Sequence, residues 1–199
     1  MLVSIRFFSP EDDRICEGNV LIKHGNPSSN GSGLICSWGN FLEQLLLSSN
    51  HSGMKIIADF ANNQMMSSQY TCDGAGHFPV LTIEDIPTTV KSLALIVDDP
   101  DAPASTRDHL LLANVPVESS DITITQDTFI VWMLWQNSWW EQAWWWPCPP
   151  SGTHRYFFKV YALSEMLDIS VWFSKKRLLE LMQGKIIEQA EIVGLYKRQ

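Results

Sequence analysis

Three carboxylates and two prolines follow a short apolar run near the middle of the chain, in the segment Asp98-Asp99-Pro100-Asp101-Ala102-Pro103. The apolar run, residues 92–97, predicts a buried strand. Because proline fixes φ and lacks a backbone N–H, we expect the strand to end here. The segment therefore predicts carboxylates on a stiff turn at the rim of a sheet, where ligands often bind. Turn chemistry alone is the alternative, since Asp and Pro are ordinary turn residues.

A second group of polar side chains opens another predicted strand. Residues 147–163 read Pro-Cys-Pro-Pro-Ser-Gly-Thr-His-Arg-Tyr-Phe-Phe-Lys-Val-Tyr-Ala-Leu, a proline-rich loop followed by aromatic and β-branched residues. His154, Arg155 and Tyr156 would place an imidazole, a guanidinium and a phenol at this strand end. In an extended segment Arg155 points away from the side that its neighbours face. A structural ion pair and a ligand contact both remain open for it.

These two motifs, in this order and at this separation, resemble the phosphatidylethanolamine-binding protein family, also called Raf-kinase-inhibitor-like, in its bacterial and archaeal branch. The resemblance rests on DPDAP with a following His and on PCPPSGTHRYFFKVYAL, and it extends from near Met54 to Arg198. Two motifs found together are far more specific than a lone DPDAP.

The resemblance implies a pocket for a small anion and indicates which residues build it. The expected ligand-binding residues are Asp99, Asp101, Pro103, His109, His154 and Tyr156. Imidazoles, the phenol and backbone N–H groups would donate to the anion, and the aspartates would orient the histidines and raise their pKa. Asp98 precedes the motif and is expected to be a turn or surface charge.

The function implied by the resemblance is binding without catalysis, with no catalytic residue, cofactor or metal. The expected ligand is phosphate or a phosphorylated small-molecule headgroup, and a protein kinase or a protease is a further candidate partner. Two alternatives stay open: a hydrolase-like enzyme that uses Asp and His, and an aromatic-surfaced interaction protein with a vestigial pocket. The sequence has no GxSxG, HExxH or P-loop motif, and Ser138 has no nucleophile context.

Composition narrows the class of protein. A net charge of −8 over 199 residues, without a block of basic residues, argues against nucleic acid as a partner. The N-terminus lacks the apolar segment of a signal peptide, and the apolar residues 129–135 are too few to cross a bilayer. We therefore expect a cytoplasmic protein without a transmembrane segment.

The chain is expected to have two parts of unequal character. Residues 1–53 do not resemble the family and contain Gly-, Ser- and Asn-rich clusters, which predict loop or linker, with a short helix at 38–47. This extension could be disordered, docked on the domain or not native; the first and third readings are favoured. Residues 54–199 are expected to form the family domain.

The predicted fold of residues 54–199 is mainly β, an antiparallel two-sheet Greek-key sandwich with a C-terminal helix. Turn residues at short intervals favour antiparallel strands. The predicted strands are residues 55–60, 80–83, 92–98, 109–115, 122–125 and 156–163. A helix is predicted over 174–184, capped by Ser174 and ended by Gly184.

Seven tryptophans lie between residues 132 and 146, and no glycine occurs between Gly76 and Gly152. The family has a glycine-rich pattern in this stretch. Glycine is therefore expected where this chain has Trp135, Trp140, Trp145, Trp146 and Trp172. Three explanations stay open: an aromatic lid or partner surface, a core patch, or glycine codons translated as tryptophan.

The cysteines are Cys16, Cys36, Cys72 and Cys148, without a CxxC pair or a zinc-like spacing. Free thiols are the default in a cytosolic chain. The resemblance would bring Cys72 and Cys148 toward one end of the sheet, so a disulfide between them is a hypothesis.

Overall fold

The computed structural model describes residues 53–130, 133–169 and 174–199, and the backbone alone of residues 2–9, 14–21 and 35–37. By internal contacts the chain divides into two units, Met1–His51 and Ser52–Gln199. In the first unit, strands β1 (Leu2–Ser9), β2 (Arg14–Leu21) and β3 (Ile35–Ser37) form an antiparallel sheet in that order. The helix predicted at 38–47 lies outside the described residues, and the nature of residues 1–53 stays a prediction.

The second unit contains two sheets. Its described strands are β4 (Lys55–Ile57), β5 (Gln64–Met65), β6 (Leu81–Glu84), β7 (Ser92–Asp99), β8 (Arg107–Pro116), β9 (Ile122–Ile124), β10 (Met133–Trp135), β11 (His154–Leu163) and β12 (Ile186–Tyr196). The large sheet has the order β10-β8-β7-β11-β12-β5 and the small sheet the order β4-β6-β9. Neighbouring strands pair antiparallel, except that β5 pairs with β12 in parallel. The predicted mainly β, two-sheet fold is confirmed.

The main core lies between the two sheets. Along β11 the side chains alternate, so that Tyr156, Phe158 and Val160 are buried in this core while their neighbours are less covered. In β7 every residue from Ser92 to Asp99 is buried, because alternate residues enter two different apolar clusters. This strand is therefore the centre of the unit.

Helix α1 (Lys175–Met182) covers the outer face of the large sheet. Leu178 and Met182, four residues apart on one helix face, are fully buried in a cluster with Ala94 and Ile96 of β7. Ser174 is the N-cap residue, but its side chain makes no capping hydrogen bond. The helix is confirmed where the sequence predicts it.

Strand β12 was not predicted, although at 11 residues it is the longest described strand. Its first half, Ile186–Ala190, is rich in Glu, Gln and Ala, which favour helix over strand. Pairing with β11 along its length overrides that preference. The six predicted strands are present with shifted ends, the largest shift being the end of β4 at Ile57 instead of Phe60.

Cys72 and Cys148 form a disulfide, with their Cα atoms 5.3 Å apart. The backbone supports it, because the N–H of Cys72 donates to the carbonyl of Pro147 at 3.0 Å. The disulfide hypothesis agrees with the structure, and the default of free thiols is wrong for this pair. The bond joins the loop after the 3-10 helix Ser68–Tyr70 to the loop that leads into β11.

Trp140 has a left-handed backbone, with φ of +66°. It ends a turn in which its N–H donates to the carbonyl of Asn137 at 3.1 Å, while the Asn137 side chain accepts from the N–H groups of Trp139 and Glu141. Type I turns favour glycine at this last position. Of the five positions where glycine was expected, Trp140 alone has positive φ among the described residues, and Trp172 lies outside them.

We expect Trp140→Gly to stabilise the protein. The substitution removes left-handed strain of about 1–2 kcal/mol, against an entropic cost of about 0.5–1 kcal/mol for glycine, and little packing is lost because Trp140 is 80% exposed. Urea unfolding should show a gain of about 0.5–1 kcal/mol. The control, Trp139→Gly, should destabilise, since Trp139 stacks on Trp145. A loss of stability in Trp140→Gly would contradict the prediction.

Removal of the disulfide should destabilise the protein by about 2–5 kcal/mol, because the bond closes a long loop in the unfolded chain. Cys72→Ser, Cys148→Ser and the double variant should lose the same amount in urea unfolding, since each lacks the same cross-link. Additive losses in the double variant would show that the two side chains contribute separately.

Candidate functional site

The two sequence motifs meet where β7 ends and β11 begins. Nδ1 of His154, the first residue of β11, lies 2.7 Å from Oδ2 of Asp99, the last residue of β7, and both side chains are buried. The other oxygen of Asp99 accepts the N–H of Asp101 at 2.8 Å. Asp99 therefore fixes the imidazole on one side and the turn after its own strand on the other.

Asp101 is held by Arg155. The carboxylate accepts Nε at 2.8 Å and Nη2 at 2.7 Å in a fork, and also the backbone N–H of Arg155 at 2.9 Å. The guanidinium hydrogen bonds lower the pKa of Asp101 to about 2. Of the two roles left open for Arg155, the structure shows the ion pair.

His109, in β8, is buried and hydrogen bonded to a backbone carbonyl. Its Nδ1 lies 2.6 Å from the oxygen of Trp145, whose N–H donates back to the His109 carbonyl at 3.0 Å. Since a carbonyl only accepts, the network assigns the hydrogen to Nδ1 and leaves Nε2 of the neutral ring as an acceptor. Trp145 acts here through its main chain, which leaves no signal in the sequence.

Burial lowers the pKa of His109 to about 4, and it outweighs the opposing effects of the Trp145 carbonyl and of Asp99. Asp99 raises the pKa of His109, as predicted, but the net shift is downward because burial has the larger effect. Its imidazole is neutral at pH 7.

Tyr156 is fully buried, and its hydroxyl has no hydrogen-bond partner among the described residues. Its ring packs edge-on against that of His109, at 5.3 Å between centroids. Burial, followed by the negative charge of Asp99, raises the pKa of the phenol, which stays neutral and able to donate. A buried polar group left without a partner costs about 1–3 kcal/mol, so this hydroxyl is an exception that calls for an explanation.

The structure thus links Asp99 with His154 and His109 with Tyr156, and it ties Asp101 to the same turn. Pro103 is exposed in that turn. The ring and carboxylate positions agree with one polar site, and a ligand contact of Pro103 stays a prediction.

Asp98 is not the turn or surface charge that the sequence predicted. It lies within β7, is 2% exposed, and accepts from Nζ of Lys159 at 2.9 and 3.0 Å and from Nζ of Lys175 in α1. Lys175 also reaches Asp108 at 2.9 Å. Because successive strand residues face opposite sides, Asp98 stabilises the α1 side while Asp99 serves the polar site.

Three indole rings stack beside the polar site. Trp139 lies on Trp145 at 4.9 Å and Trp145 on Trp146 at 5.2 Å, and Trp139 also meets the ring of His109 at 5.0 Å. Trp144 is instead a core residue against Phe78. The core explanation thus holds for Trp144, while the stack has the geometry of an aromatic surface. Whether its codons specify glycine stays a prediction.

A cavity of about 660 Å³ lies elsewhere, at the start of α1, and none of the six predicted site residues lines it. It opens widely to solvent beside Thr106, Asp108 and Lys175. In residues 53–130, 133–169 and 174–199 no group of three or more His, Cys, Asp or Glu side chains could hold a metal ion. Within those ranges no helix has the length and apolar character needed to cross a membrane.

The sequence of this chain is similar to those of known proteins. The sequence model of the family described as phosphatidylethanolamine-binding protein matches residues 57–197. A UPF0098 protein of Methanothermobacter thermautotrophicus is 38% identical over 146 residues, 70% of this chain and 95% of that protein. A UPF0098 protein of Pyrococcus horikoshii is 39% identical over 152 residues, 73% of this chain and 77% of that protein.

Two solved structures share the fold. A crystal structure titled as a putative phosphatidylethanolamine-binding protein homolog from Chlamydia trachomatis has a TM-score of 0.68 and 33% identity, covering 74% of this chain and 99% of that one. Escherichia coli YbcL, described as a member of the mammalian family, has a TM-score of 0.65 at 23% identity, over 73% of this chain and 99% of its own, a likeness of fold alone. The chain belongs to the phosphatidylethanolamine-binding protein family, in its bacterial and archaeal branch.

Proposed function

We propose that this protein binds a small anion, phosphate or a phosphorylated headgroup, at Asp99, His109, His154 and Tyr156. The observation that carries the proposal is the buried hydroxyl of Tyr156, which has no partner among the described residues and lies against His109. The name of the family supports the ligand class. Asp101 contributes by holding the turn through Arg155.

The indole stack bears on how a ligand would enter. Trp139 contacts the His109 ring, and Trp145 holds His109 through its main-chain N–H and carbonyl. Glycine at position 145 would keep both of these hydrogen bonds and remove the ring. A site lined by glycine at 145 and 146 would therefore keep its polar groups and gain space beside them.

A hydrolase is the second class considered, and the position of Ser138 does not favour it. Its hydroxyl accepts the N–H of Asp108 at 2.8 Å, which ties it to the start of β8. Rates of hydrolysis measured on ester and phosphoester panels distinguish a binding protein from a hydrolase. We expect wild type and His154→Ala to show the same background rate.

We also propose that this protein inhibits a protein kinase or a protease. Its location is proposed to be cytoplasmic. The Cys72–Cys148 disulfide bears on the location, because disulfides persist mainly in oxidising compartments. A thiol count on protein taken from its own cells would decide which compartment it matures in.

Titration with inorganic phosphate should shift the imidazole NMR signals of His109 and His154. Tyr156→Phe should weaken phosphate binding about 10- to 100-fold, because a hydrogen bond to a charged group is worth about 1.5–3 kcal/mol. Tyr161→Phe, on the same strand but packed on the α1 side, should leave the affinity unchanged. Absence of any imidazole shift at millimolar phosphate would favour the interaction protein with a vestigial pocket.

The same Tyr156→Phe substitution should not destabilise the free protein. It removes a buried hydroxyl that has no partner among the described residues, so the free energy of unfolding should stay equal or rise by up to about 1 kcal/mol. Tyr196→Phe should lose about 1 kcal/mol, since its hydroxyl donates to Asp73 at 2.7 Å. Equal losses in both variants would show that Tyr156 serves the fold instead of a ligand.

A further inference from the structure

The hydrogen-bonding groups of the polar site are unequally divided between donors and acceptors. Tyr156 has a hydroxyl that can donate. His109 uses its Nδ1 hydrogen on the Trp145 carbonyl, so Nε2 can only accept while the ring is neutral. His154 directs its Nδ1 to Asp99, and both oxygens of Asp99 retain further lone pairs. Of these groups, the Tyr156 hydroxyl donates, whereas His109 Nε2 and the oxygens of Asp99 accept.

The charged groups of the site also disfavour a fully ionised ligand. Asp101 and Arg155 cancel each other in a bidentate pair. Lys159 and Lys175 bind Asp98 on the opposite face of the sheet. The buried carboxylate of Asp99 is paired with the imidazole of His154, and Arg107, opposite Asp99 in β8, is exposed. A fully ionised dianion would lie close to a negative charge in a poorly solvated place, which is unfavourable.

We propose that the anion recognised at this site carries a hydrogen on one of its oxygens and donates it to Asp99 or to Nε2 of His109. This inference rests on the proposed function and narrows its ligand class to protonated phosphate groups, such as inorganic phosphate or the monoanion of a phosphate monoester. Sulfate and sulfate esters, which have the same shape without the hydrogen, are excluded. Tyr156 donates to an ionised oxygen of the same group, and no covalent bond changes.

The discrimination has a simple physical basis. An O–H of the ligand that meets a carboxylate forms a short, charge-assisted hydrogen bond. A sulfate oxygen in the same position would direct its lone pairs at those of Asp99 or of His109 Nε2, and neither side could supply a hydrogen.

Calorimetric titration of the full chain with methyl phosphate and methyl sulfate at pH 5 tests this. At that pH both ligands are monoanions of similar shape, but only methyl phosphate has an O–H, since the second pKa of a phosphate monoester is about 6. We expect methyl phosphate to bind at least about tenfold more tightly, as the loss of one such hydrogen bond predicts. Between pH 5 and pH 8 its affinity should fall about 90-fold, following its protonated fraction.

The same two ligands also show whether a change of affinity with pH comes from protonation of the protein or of the ligand. The charges that act on the pKa of His109 are those of Asp99, Asp98 and His154, and those that act on the pKa of Tyr156 are those of Asp99, Asp101 and Tyr196. If the charge of a histidine determined the affinity, methyl sulfate would bind well at pH 5 and weaken in parallel with methyl phosphate. That result, or equal affinity for both ligands at pH 5, overturns the inference and leaves the anion site standing. Failure of methyl phosphate and of inorganic phosphate to bind overturns the proposed function with it.

Two neighbouring substitutions provide a second measurement. Asp99→Asn replaces one acceptor oxygen by an NH₂ donor and should reduce the preference for methyl phosphate over methyl sulfate to below about threefold. Asp98→Asn makes the same change on the opposite face, beside Lys159 and Lys175, and should leave the preference intact. An unchanged preference in folded Asp99→Asn, or the same loss in both variants, would contradict a role of Asp99 as acceptor.

Discussion

Two adjacent carboxylates are buried at the end of the central strand, and the arrangement around them follows from the need to compensate both. Asp99 is compensated by His154 and by the N–H of Asp101, which shapes the polar site. Asp98 is compensated by Lys159 and by Lys175, which attaches helix α1 to the sheet. One strand end thus organises both faces of the large sheet. On the face with the polar site the compensating groups are His154 and a backbone N–H, and on the helix face they are ammonium groups.

The meeting of the two motifs was implied by the family resemblance, and each motif lies at a clear strand end. Asp99 and His154 do come together, and the alternation of β11 correctly separates Arg155 from Tyr156. The role of Asp98 was missed because it depends on Lys175, which lies 77 positions away on another element. The net lowering of the His109 pKa was not predicted, because desolvation by the surrounding rings cannot be inferred from the neighbours of a residue in sequence.

For the fold, elements with one dominant local signal were predicted well, and those decided by pairing were not. Helix α1 consists mostly of good helix formers and ends two residues before Gly184, so its range was predicted. Strand β12 has residues that favour helix and becomes a strand through β11. The left-handed conformation of Trp140 agrees with the glycine that the resemblance implies there, whereas Trp145 contributes through main-chain atoms that any residue except proline supplies.

The complete burial of β7 also affects how the chain finds its register. Most strands are held in register by one apolar face and one polar face, so that a slip by one residue exposes the wrong set. Along β7 such a slip would mostly place one apolar residue where another had been. At the end of the strand it would place one aspartate where the other had been. The strand therefore depends on its neighbours for alignment, through the bulges opposite β8 and the antiparallel ladder with β11 about 60 residues later. Because contacts between residues so distant in sequence form slowly, we expect β7 to reach its final register only after β11 and β12 have paired.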